Sequence, residues 1–145
     1  KKVIVSTHPR TKLKIVNSNF KFSDKILFLD PLSYTDYNQL QISASCVLSD
    51  SGTITEESSI LNFPALNIRE VHERPEGMEE GAVMFVGLNN KLIYNGLRIL
   101  ENQKTGNKRS IMPVKDYMPN NVSEKVVRII LSYTDYINRE TWKKR

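Results

Sequence analysis

Residues 46–57 of the chain read Cys-Val-Leu-Ser-Asp-Ser-Gly-Thr-Ile-Thr-Glu-Glu, and this stretch decides the fold that the sequence predicts. It opens with a short apolar run at residues 46–48, which is typical of a buried strand. Small polar residues and a glycine follow at residues 49–52 and predict a turn. A helix is predicted at residues 53–61, because Thr53 and Glu56 have the spacing of a capping box. The stretch is therefore a strand, a turn and a helix in direct succession.

The same alternation of strand and helix extends to both sides of this stretch. Four more short apolar runs predict strands, at residues 2–6, 25–29, 64–68 and 82–86. Helical spacing, or a proline start with a glycine end, predicts helices at residues 34–44, 75–81 and 91–102. Strands that are almost continuously apolar and alternate with helices are typical of a parallel sheet covered on both faces. The predicted fold class is α/β, with a Rossmann-like parallel sheet and helices on both faces.

Two further segments complete the chain. Residues 7–22 form a polar, basic connection with room for one short helix. Residues 105–121 are polar, contain Gly and Pro, and predict a long surface loop, after which residues 123–138 predict an amphipathic final helix. We therefore divide the chain into a Rossmann-like domain at residues 1–104 and a loop with a carboxyl-terminal helical tail at residues 105–145.

Composition restricts the class of protein. The 145 residues are enough for one domain with a core of its own. No apolar run is long enough to cross a bilayer, so no membrane partner is expected. Cys46 is the single cysteine, which excludes a disulfide framework and a zinc site and fits a reducing cytoplasm. The chain begins on Lys1 rather than Met, directly before a predicted strand, which suggests a fragment or a processed chain.

Many of the basic residues behind the net charge of +5 lie near the two ends of the chain. They are Lys1, Lys2, Arg10, Lys12 and Lys14 at the front, and Arg139, Lys143, Lys144 and Arg145 at the back. A nucleic-acid surface requires aromatic residues interleaved with basic ones, and these runs have few. Solvated chain ends are the favoured interpretation and no nucleic acid is expected. A small anion such as a nucleotide diphosphate is compatible with the charge.

Candidate ligand-binding residues lie where the predicted strands end, because ligands of a parallel α/β sheet bind at the carboxyl ends of its strands. For this sequence those places are residues 7–10, 30–37 and 50–57. Ser51 and Gly52 are placed to hold a phosphate at a helix start, and Glu57 could take two ribose hydroxyls. An ordinary turn with a solvated acidic helix start is the alternative. The short pattern taken alone slightly favours that alternative.

Three other residues near strand ends have more than one interpretation each. His8 could meet a phosphate or carry a proton, or it could cap a helix. Arg74, which follows the fourth predicted strand, could reach a phosphate or pair with Glu56 or Glu57, or its segment could be an ordinary helix start whose acidic residues complement the helix dipole. Tyr37 could flank a base or pack against the sheet. The sequence leaves these alternatives open.

Patterns for other chemistry are absent from the sequence. It contains no glycine-rich dinucleotide fingerprint, no P-loop and no cluster of metal ligands. It also contains no nucleophile-elbow motif. His72 stands among charged residues and is expected in an exposed loop. No metal and no cofactor are therefore expected.

Several short motifs agree at once with one known family. They are Ser-Asp-Ser-Gly-Thr at residues 49–53 with Glu56 and Glu57, Phe-Pro-Ala-Leu at 63–66, Arg69 with Glu-Arg-Pro-Glu-Gly at 73–77, Glu-Gly at 80–81 and Val-Gly at 86–87. In this order and spacing they resemble the non-hydrolysing UDP-N-acetylglucosamine 2-epimerases. Ser-Thr-His-Pro at residues 6–9 and Asp-Pro-Leu at residues 30–32 are similar to that family as well.

The resemblance implies a fold and a ligand. The fold would be the carboxyl-terminal part of a two-domain protein of the glycosyltransferase-B type, which holds UDP. Ser51 and Gly52 would contact the diphosphate, and Glu57 would bind the ribose hydroxyls. Tyr37 would lie at the uracil, partly through its backbone, and Arg74 would line the cleft near these groups.

Some positions depart from the family pattern. Thr53 stands where the turn usually has a second glycine. The usual carboxyl-terminal Asn-Pro-Tyr-Gly-Asp-Gly motif is absent, and residues 114–145 stand in its place. That tail resembles members from capsule and O-antigen clusters, which act at C2 of a UDP-linked 6-deoxy-L-talose-type amino sugar. His8 matches a histidine that lines the cleft in relatives, near a regulatory sugar-nucleotide site of some members.

The family's acid and base carboxylates lie in an amino-terminal domain, and no residue of this sequence matches them. The resemblance implies an isomerase of surface polysaccharide biosynthesis that eliminates UDP from a UDP-N-acetyl-hexosamine and adds it back with inversion at C2. This chain alone would bind the UDP-sugar and be inactive. A sugar transferase domain of the same fold type and a non-catalytic nucleotide-binding module are left open as alternatives. A homodimer through the final helix with Trp142 is also left open.

Overall fold

The computed structural model describes residues 1–71 and 73–144, so the expectations for His72 and Arg145 lie outside the described residues. Strands and helices alternate along the chain, as the sequence predicts. The elements are β1 (Val3–Ser6), α1 (Pro9–Val16), β2 (Ile26–Leu29), α2 (Tyr34–Ser43), β3 (Val47–Ser49), α3 (Ile54–Leu61), β4 (Ala65–Asn67), α4 (Pro75–Glu79), β5 (Met84–Phe85), α5 (Asn90–Leu100), a 3₁₀ turn (Lys115–Tyr117) and α6 (Val122–Glu140).

All strand pairs within the described residues are parallel. β1 pairs with β2, and β3, β4 and β5 form a second sheet in that order. The α/β class with parallel strands is therefore confirmed. The sheet expected as one is divided into a two-stranded and a three-stranded sheet. Apolar periodicity identifies which residues form strands, but it does not specify which strands pair.

The three-stranded sheet holds the core and has helices on both faces. Ile54 of α3 packs with Phe63, Ala65 and Val83 in one buried cluster. Leu66 packs with Val86 and Leu100 of α5 in another. The two clusters form because consecutive strand residues, here at 65 and 66, point to opposite faces of a sheet.

Two regions keep large apolar side chains at the surface. The strands β1 and β2 expose Val3, Ile4 and Leu27. The helix α6 is amphipathic as predicted, yet none of its residues is buried, and Ile130 and Leu131 are among its exposed side chains. Within the described residues, no helix is both long and apolar enough to cross a membrane.

The segment after α5 attaches to the carboxyl end of α3. Asn62 has a left-handed backbone, with φ of 56°, and its side-chain amide donates to the carbonyls of Gly106 and Lys108 at 2.7 and 2.9 Å. Arg109 donates to the carbonyls of Ser59 and Ile60 at 2.8 and 2.7 Å. These side chains satisfy carbonyls at the helix end or hold the segment beside it. The division of the chain at residue 104 stays a prediction.

Candidate functional site

The turn between β3 and α3 is held by its own hydroxyl groups. Ser49 Oγ accepts a hydrogen bond from the Ser51 amide at 3.1 Å. Ser51 Oγ accepts one from the Thr53 amide at 3.3 Å and lies 2.9 Å from Thr53 Oγ1. Ser51 itself is exposed. The turn is therefore fixed from within, and its outer surface faces solvent.

The start of α3 has no side-chain cap. The predicted capping box between Thr53 and Glu56 is wrong. Thr53 has helical dihedral angles, φ −66° and ψ −15°, whereas a capping side chain usually stands on an extended residue. The Thr53 hydroxyl pairs with Ser51 instead, and Glu56 pairs with Arg74. A helix start without a cap presents N–H groups and a positive dipole end, which attract anions.

Arg74 lies over this turn. Its Nε donates to Glu56 Oε1 at 2.6 Å, which decides between the pairing partners that the sequence left open. A Cβ added to Gly52 would lie 3.3 Å from Arg74 Nη1, so the guanidinium lies directly against the glycine. The hydrogen bond and charge of Glu56 raise the pKa of Arg74 above its already high ordinary value. A permanent cation therefore lies beside the uncapped start of α3.

Close packing of α3 against α4 holds Arg74 there. Arg74 directly precedes α4. A Cβ on Gly77 of α4 would lie only 2.0 Å from Thr55 Cγ2 of α3, so only glycine allows this approach. Tyr117 donates its hydroxyl to Glu76 Oε1 at 2.7 Å. Burial, and then the bond to Glu76, raise the pKa of the Tyr117 phenol.

Tyr117 belongs to this region although no motif in the sequence marks it. The residue stands in a polar segment that was predicted to be a surface loop. Its contact with Glu76 joins residues 41 positions apart. No periodic pattern in the sequence marks such a contact.

Glu57 and Tyr37 lie near each other and are linked through Gln41 of α2. Glu57 Oε2 accepts a hydrogen bond from Gln41 Nε2 of α2 at 2.7 Å. Tyr37 lies one helical turn before Gln41, on the same face of α2. Burial raises the pKa of the Tyr37 phenol, and the nearby charges of Glu57 and Asp50 raise it further. The structure therefore brings these two predicted site residues together through Gln41, which sequence reasoning missed.

His8 stands apart from these residues. It follows β1 in the two-stranded sheet, is exposed, and forms the N-cap of α1, where its Nδ1 accepts from the Arg10 amide at 3.2 Å. Capping, the ordinary alternative for this histidine, is what the structure shows. Ser51, Gly52 and Arg74 thus form one group around the start of α3, and Glu57 and Tyr37 extend it.

Chemically, the group around α3 combines a cation, exposed hydroxyls and a helix start with a carboxylate held by an amide. Such a set can bind an anionic group beside a pair of hydroxyls. Among the described residues, no three His, Cys, Asp or Glu side chains are grouped so that they could hold a metal ion.

Comparison with known proteins gives consistent similarities. A sequence model of UDP-N-acetylglucosamine 2-epimerases matches residues 1–131. The chain is similar to the UDP-N-acetylglucosamine 2-epimerase of Methanocaldococcus jannaschii, with 34% identity over 140 residues, 94% of this chain and 36% of that protein. It is similar to the structure of UDP-N-acetylglucosamine 2-epimerase from Rickettsia bellii, with 49% identity and a TM-score of 0.86 over 99% of this chain and 39% of that one.

A further similar structure contains ligands. It is the Methanocaldococcus jannaschii UDP-GlcNAc 2-epimerase in complex with UDP-GlcNAc and UDP, with 32% identity and a TM-score of 0.76 over 91% of this chain and 36% of that one. These likenesses confirm the predicted Rossmann-like fold class within a glycosyltransferase-B-type protein. The chain spans a little over a third of the length of these relatives.

Proposed function

Because this chain belongs to the UDP-N-acetylglucosamine 2-epimerase family, we propose that it is the UDP-holding, carboxyl-terminal part of a UDP-sugar 2-epimerase. One observation carries the proposal above the others. The cation of Arg74 lies against Gly52 at a helix start that has no cap. A diphosphate fits such a place because both the guanidinium and the free N–H groups stabilise negative charge.

In this proposal, the diphosphate lies at Ser51 and Gly52 with Arg74 beside it. The ribose hydroxyls bind the Glu57 carboxylate, and the uracil lies at Tyr37. His8, which caps another helix, has a more distant place in the cleft. The domain formed by residues 1–104 provides this site, and residues 105–145 provide a loop and a helical tail.

The proposed reaction is the elimination of UDP across C1 and C2 of the sugar, followed by its re-addition with inversion at C2. The role of this chain is to hold UDP while the bond to C1 breaks and forms again. Fixed N–H donors and the Arg74 cation would stabilise the charge that develops on the leaving diphosphate. No residue of this chain takes the role of acid or base at C2, so we expect the isolated chain to bind UDP without epimerising UDP-sugars.

We also propose a substrate type, a biosynthetic role, a location and an oligomeric state for the protein. The tail at residues 114–145 favours a substrate of the 6-deoxy amino-sugar type over UDP-N-acetylglucosamine, and a role in capsule polysaccharide biosynthesis. A cytoplasmic location suits an enzyme that uses nucleotide sugars. The exposed apolar side chains of α6, such as Ile130 and Leu131, are compatible with a homodimer.

Titration of the purified chain with UDP, followed by isothermal calorimetry, tests the proposal. We expect binding by the wild type, and in Glu57→Ala we expect a loss of affinity of roughly 10-fold or more, since a hydrogen bond to a charged group contributes about 1.5–3 kcal/mol. Glu124→Ala, at an exposed position in α6, is the matched control. Equal UDP affinity of Glu57→Ala and wild type would overturn the ribose assignment.

Product analysis of the natural-length protein in deuterated water tests the reaction. Incubation with UDP-N-acetylglucosamine, and separately with the 6-deoxy amino sugar, should give a C2 epimer that carries solvent deuterium at C2. A sugar transferase would need an acceptor, and a binding module would turn over neither substrate. Either of those results would overturn the epimerase proposal.

A further inference from the structure

Gln41 has a combination of contacts that packing alone does not explain. It is 3% exposed, which places it among the most buried polar residues of the chain. Its Nε2 donates to Glu57 Oε2 at 2.7 Å. Its Oε1 is buried and has no hydrogen-bond partner among the described residues. A buried amide oxygen without a partner destabilises a fold, so an apolar side chain of similar size would be favoured if stability were the only requirement.

The contact between Gln41 and Glu57 restricts the carboxylate. Glu57 is half-buried in the first turn of α3, and its long side chain would otherwise sample several rotamers. The bond from Gln41 occupies one oxygen, Oε2, and restricts the rotation of the carboxylate. Within the part of the chain that the structure describes, no hydrogen bond is found to the other oxygen, which can accept from a ligand. Because Gln41 comes from α2, the bond also couples α2, which carries Tyr37, to α3.

We propose that Gln41 is a positioning residue that orients Glu57 toward the ribose and so determines the preference of the site for a ribonucleotide over a 2′-deoxyribonucleotide. This inference rests on the proposed function, because it assumes that Glu57 binds the ribose. Gln41 touches no reacting atom. It acts by holding the carboxylate before the ligand arrives, which reduces the entropy lost on binding.

The test compares UDP with 2′-deoxy-UDP in calorimetric titrations of the 145-residue chain. Gln41→Met removes the donor and the unpaired oxygen while keeping the length of the side chain. We expect UDP affinity to fall roughly fivefold, the ordinary effect of one hydrogen bond, while affinity for 2′-deoxy-UDP changes less. The ratio of the affinity for UDP to the affinity for 2′-deoxy-UDP should therefore be smaller in Gln41→Met than in the wild type. Gln39→Met is the matched control, because Gln39 lies on the same helix, is exposed, and donates to Ser43 rather than to Glu57.

A double-mutant cycle separates positioning from a general effect on the fold. In the Glu57→Ala background, Gln41→Met should change UDP affinity by less than twofold, because the group that Gln41 orients is gone. Thermal unfolding should show that Gln41→Met is at least as stable as the wild type. Equal loss of affinity in both backgrounds, or unchanged preference for the ribonucleotide, would overturn the role of Gln41.

A measurement on the wild type covers the case in which Gln41→Met fails to fold. The side-chain amide resonances of Gln41, followed by nuclear magnetic resonance, should shift on addition of UDP and stay in place with inorganic pyrophosphate. If the Gln41 resonances do not shift at saturating UDP, the role of Gln41 is overturned but the proposed function is not. A wild-type chain that does not bind UDP would overturn the proposed function and the inference together.

Discussion

Two of the turns that lead from a parallel strand into a helix, the one after β1 and the one after β3, differ at the start of the helix. After β1, His8 has extended dihedral angles, φ −62° and ψ 144°, and its ring accepts from the Arg10 amide. The first helical residue there is Pro9, which has no N–H group. After β3, Thr53 has helical dihedral angles but its side chain caps nothing, and α3 begins at Ile54. We call the turn after β1 the closed turn, because His8 caps α1, and the turn after β3 the open turn, because no side chain caps α3.

Position at a strand end does not by itself make a ligand site. Both turns lie at the carboxyl ends of parallel strands, where α/β proteins bind ligands. At the closed turn Pro9 has no N–H and the Arg10 amide donates to the His8 ring, so neither residue offers a donor to an anion. At the open turn no side chain caps the start of α3, and Arg74 lies beside it. Three variants test this difference. One adds a negative charge to the open turn, one disturbs the packing that supports it, and one removes the cap of the closed turn.

The largest effect is expected from Thr53→Asp, which places a carboxylate at the open turn. A negative charge about 5 Å from a bound diphosphate costs roughly 3 kcal/mol at an effective dielectric constant of ~20. UDP affinity should therefore fall roughly 100-fold. The carboxylate of the aspartate also interacts favourably with the positive end of the α3 dipole, so the thermal stability should not fall. Calorimetric titration measures the affinity.

Thr53→Asn is the matched control for that variant, because asparagine has the shape of aspartate without its charge. It should bind UDP within a few-fold of the wild type. If the two variants lose UDP affinity equally, charge at the open turn is not what decides binding.

The next largest effect is expected from Gly77→Ala, which loosens the support of the open turn. The new methyl group would lie 2.0 Å from Thr55 Cγ2, so α4 must move away from α3. Overpacking of this kind costs about 1–3 kcal/mol of unfolding free energy, which urea denaturation measures. UDP affinity should fall as well, because Arg74 precedes α4 and moves with it. Adding Thr55→Ser removes the clashing methyl group and should restore most of both losses.

A smaller effect is expected at the closed turn. His8→Ala removes the cap of α1 and should lower the unfolding free energy by about 1 kcal/mol. His8→Asn keeps a capping side chain and should stay close to the wild type. UDP affinity of the chain should change less in His8→Ala than in Thr53→Asp. A greater loss of UDP affinity at His8 would reverse the comparison of the two turns.

The sequence predicted the elements better than it predicted what lies between them. All five strands lie within a residue or two of the apolar runs that predicted them, because burial of parallel strands leaves a continuous apolar pattern. The capping box failed, because spacing does not reveal that Thr53 is helical. Gln41 and Tyr117 were missed, because their partners are 16 and 41 residues away. For Arg74 the sequence left open a phosphate contact and a pairing with Glu56 or Glu57, and the ion pair with Glu56 joins residues 18 positions apart.

The last effect, no larger than that of His8→Ala at pH 8 and lost above pH 10, is expected from Tyr117→Phe. Burial and the bond to Glu76 raise the pKa of the phenol in the folded chain above the ordinary value of 10.0. Its contribution to stability is therefore complete below about pH 10, where tyrosine also stays protonated in the unfolded chain, and it is lost as the pH rises above that value. Tyr117→Phe lacks this contribution, so it should be less stable than the wild type by about 1 kcal/mol at pH 8.

The two proteins should then converge in urea denaturation at pH values above 10, because only the wild type has a contribution from Tyr117 to lose. Tyr94→Phe is the matched control, since Tyr94 is exposed on α5 and should change stability little at any pH. A stability difference between wild type and Tyr117→Phe that stays constant from pH 8 to well above 10 would mean that the phenol does not hold Glu76 as a neutral donor. The open turn would then depend on Gly77 and Thr55 for the position of α4, and not on Tyr117.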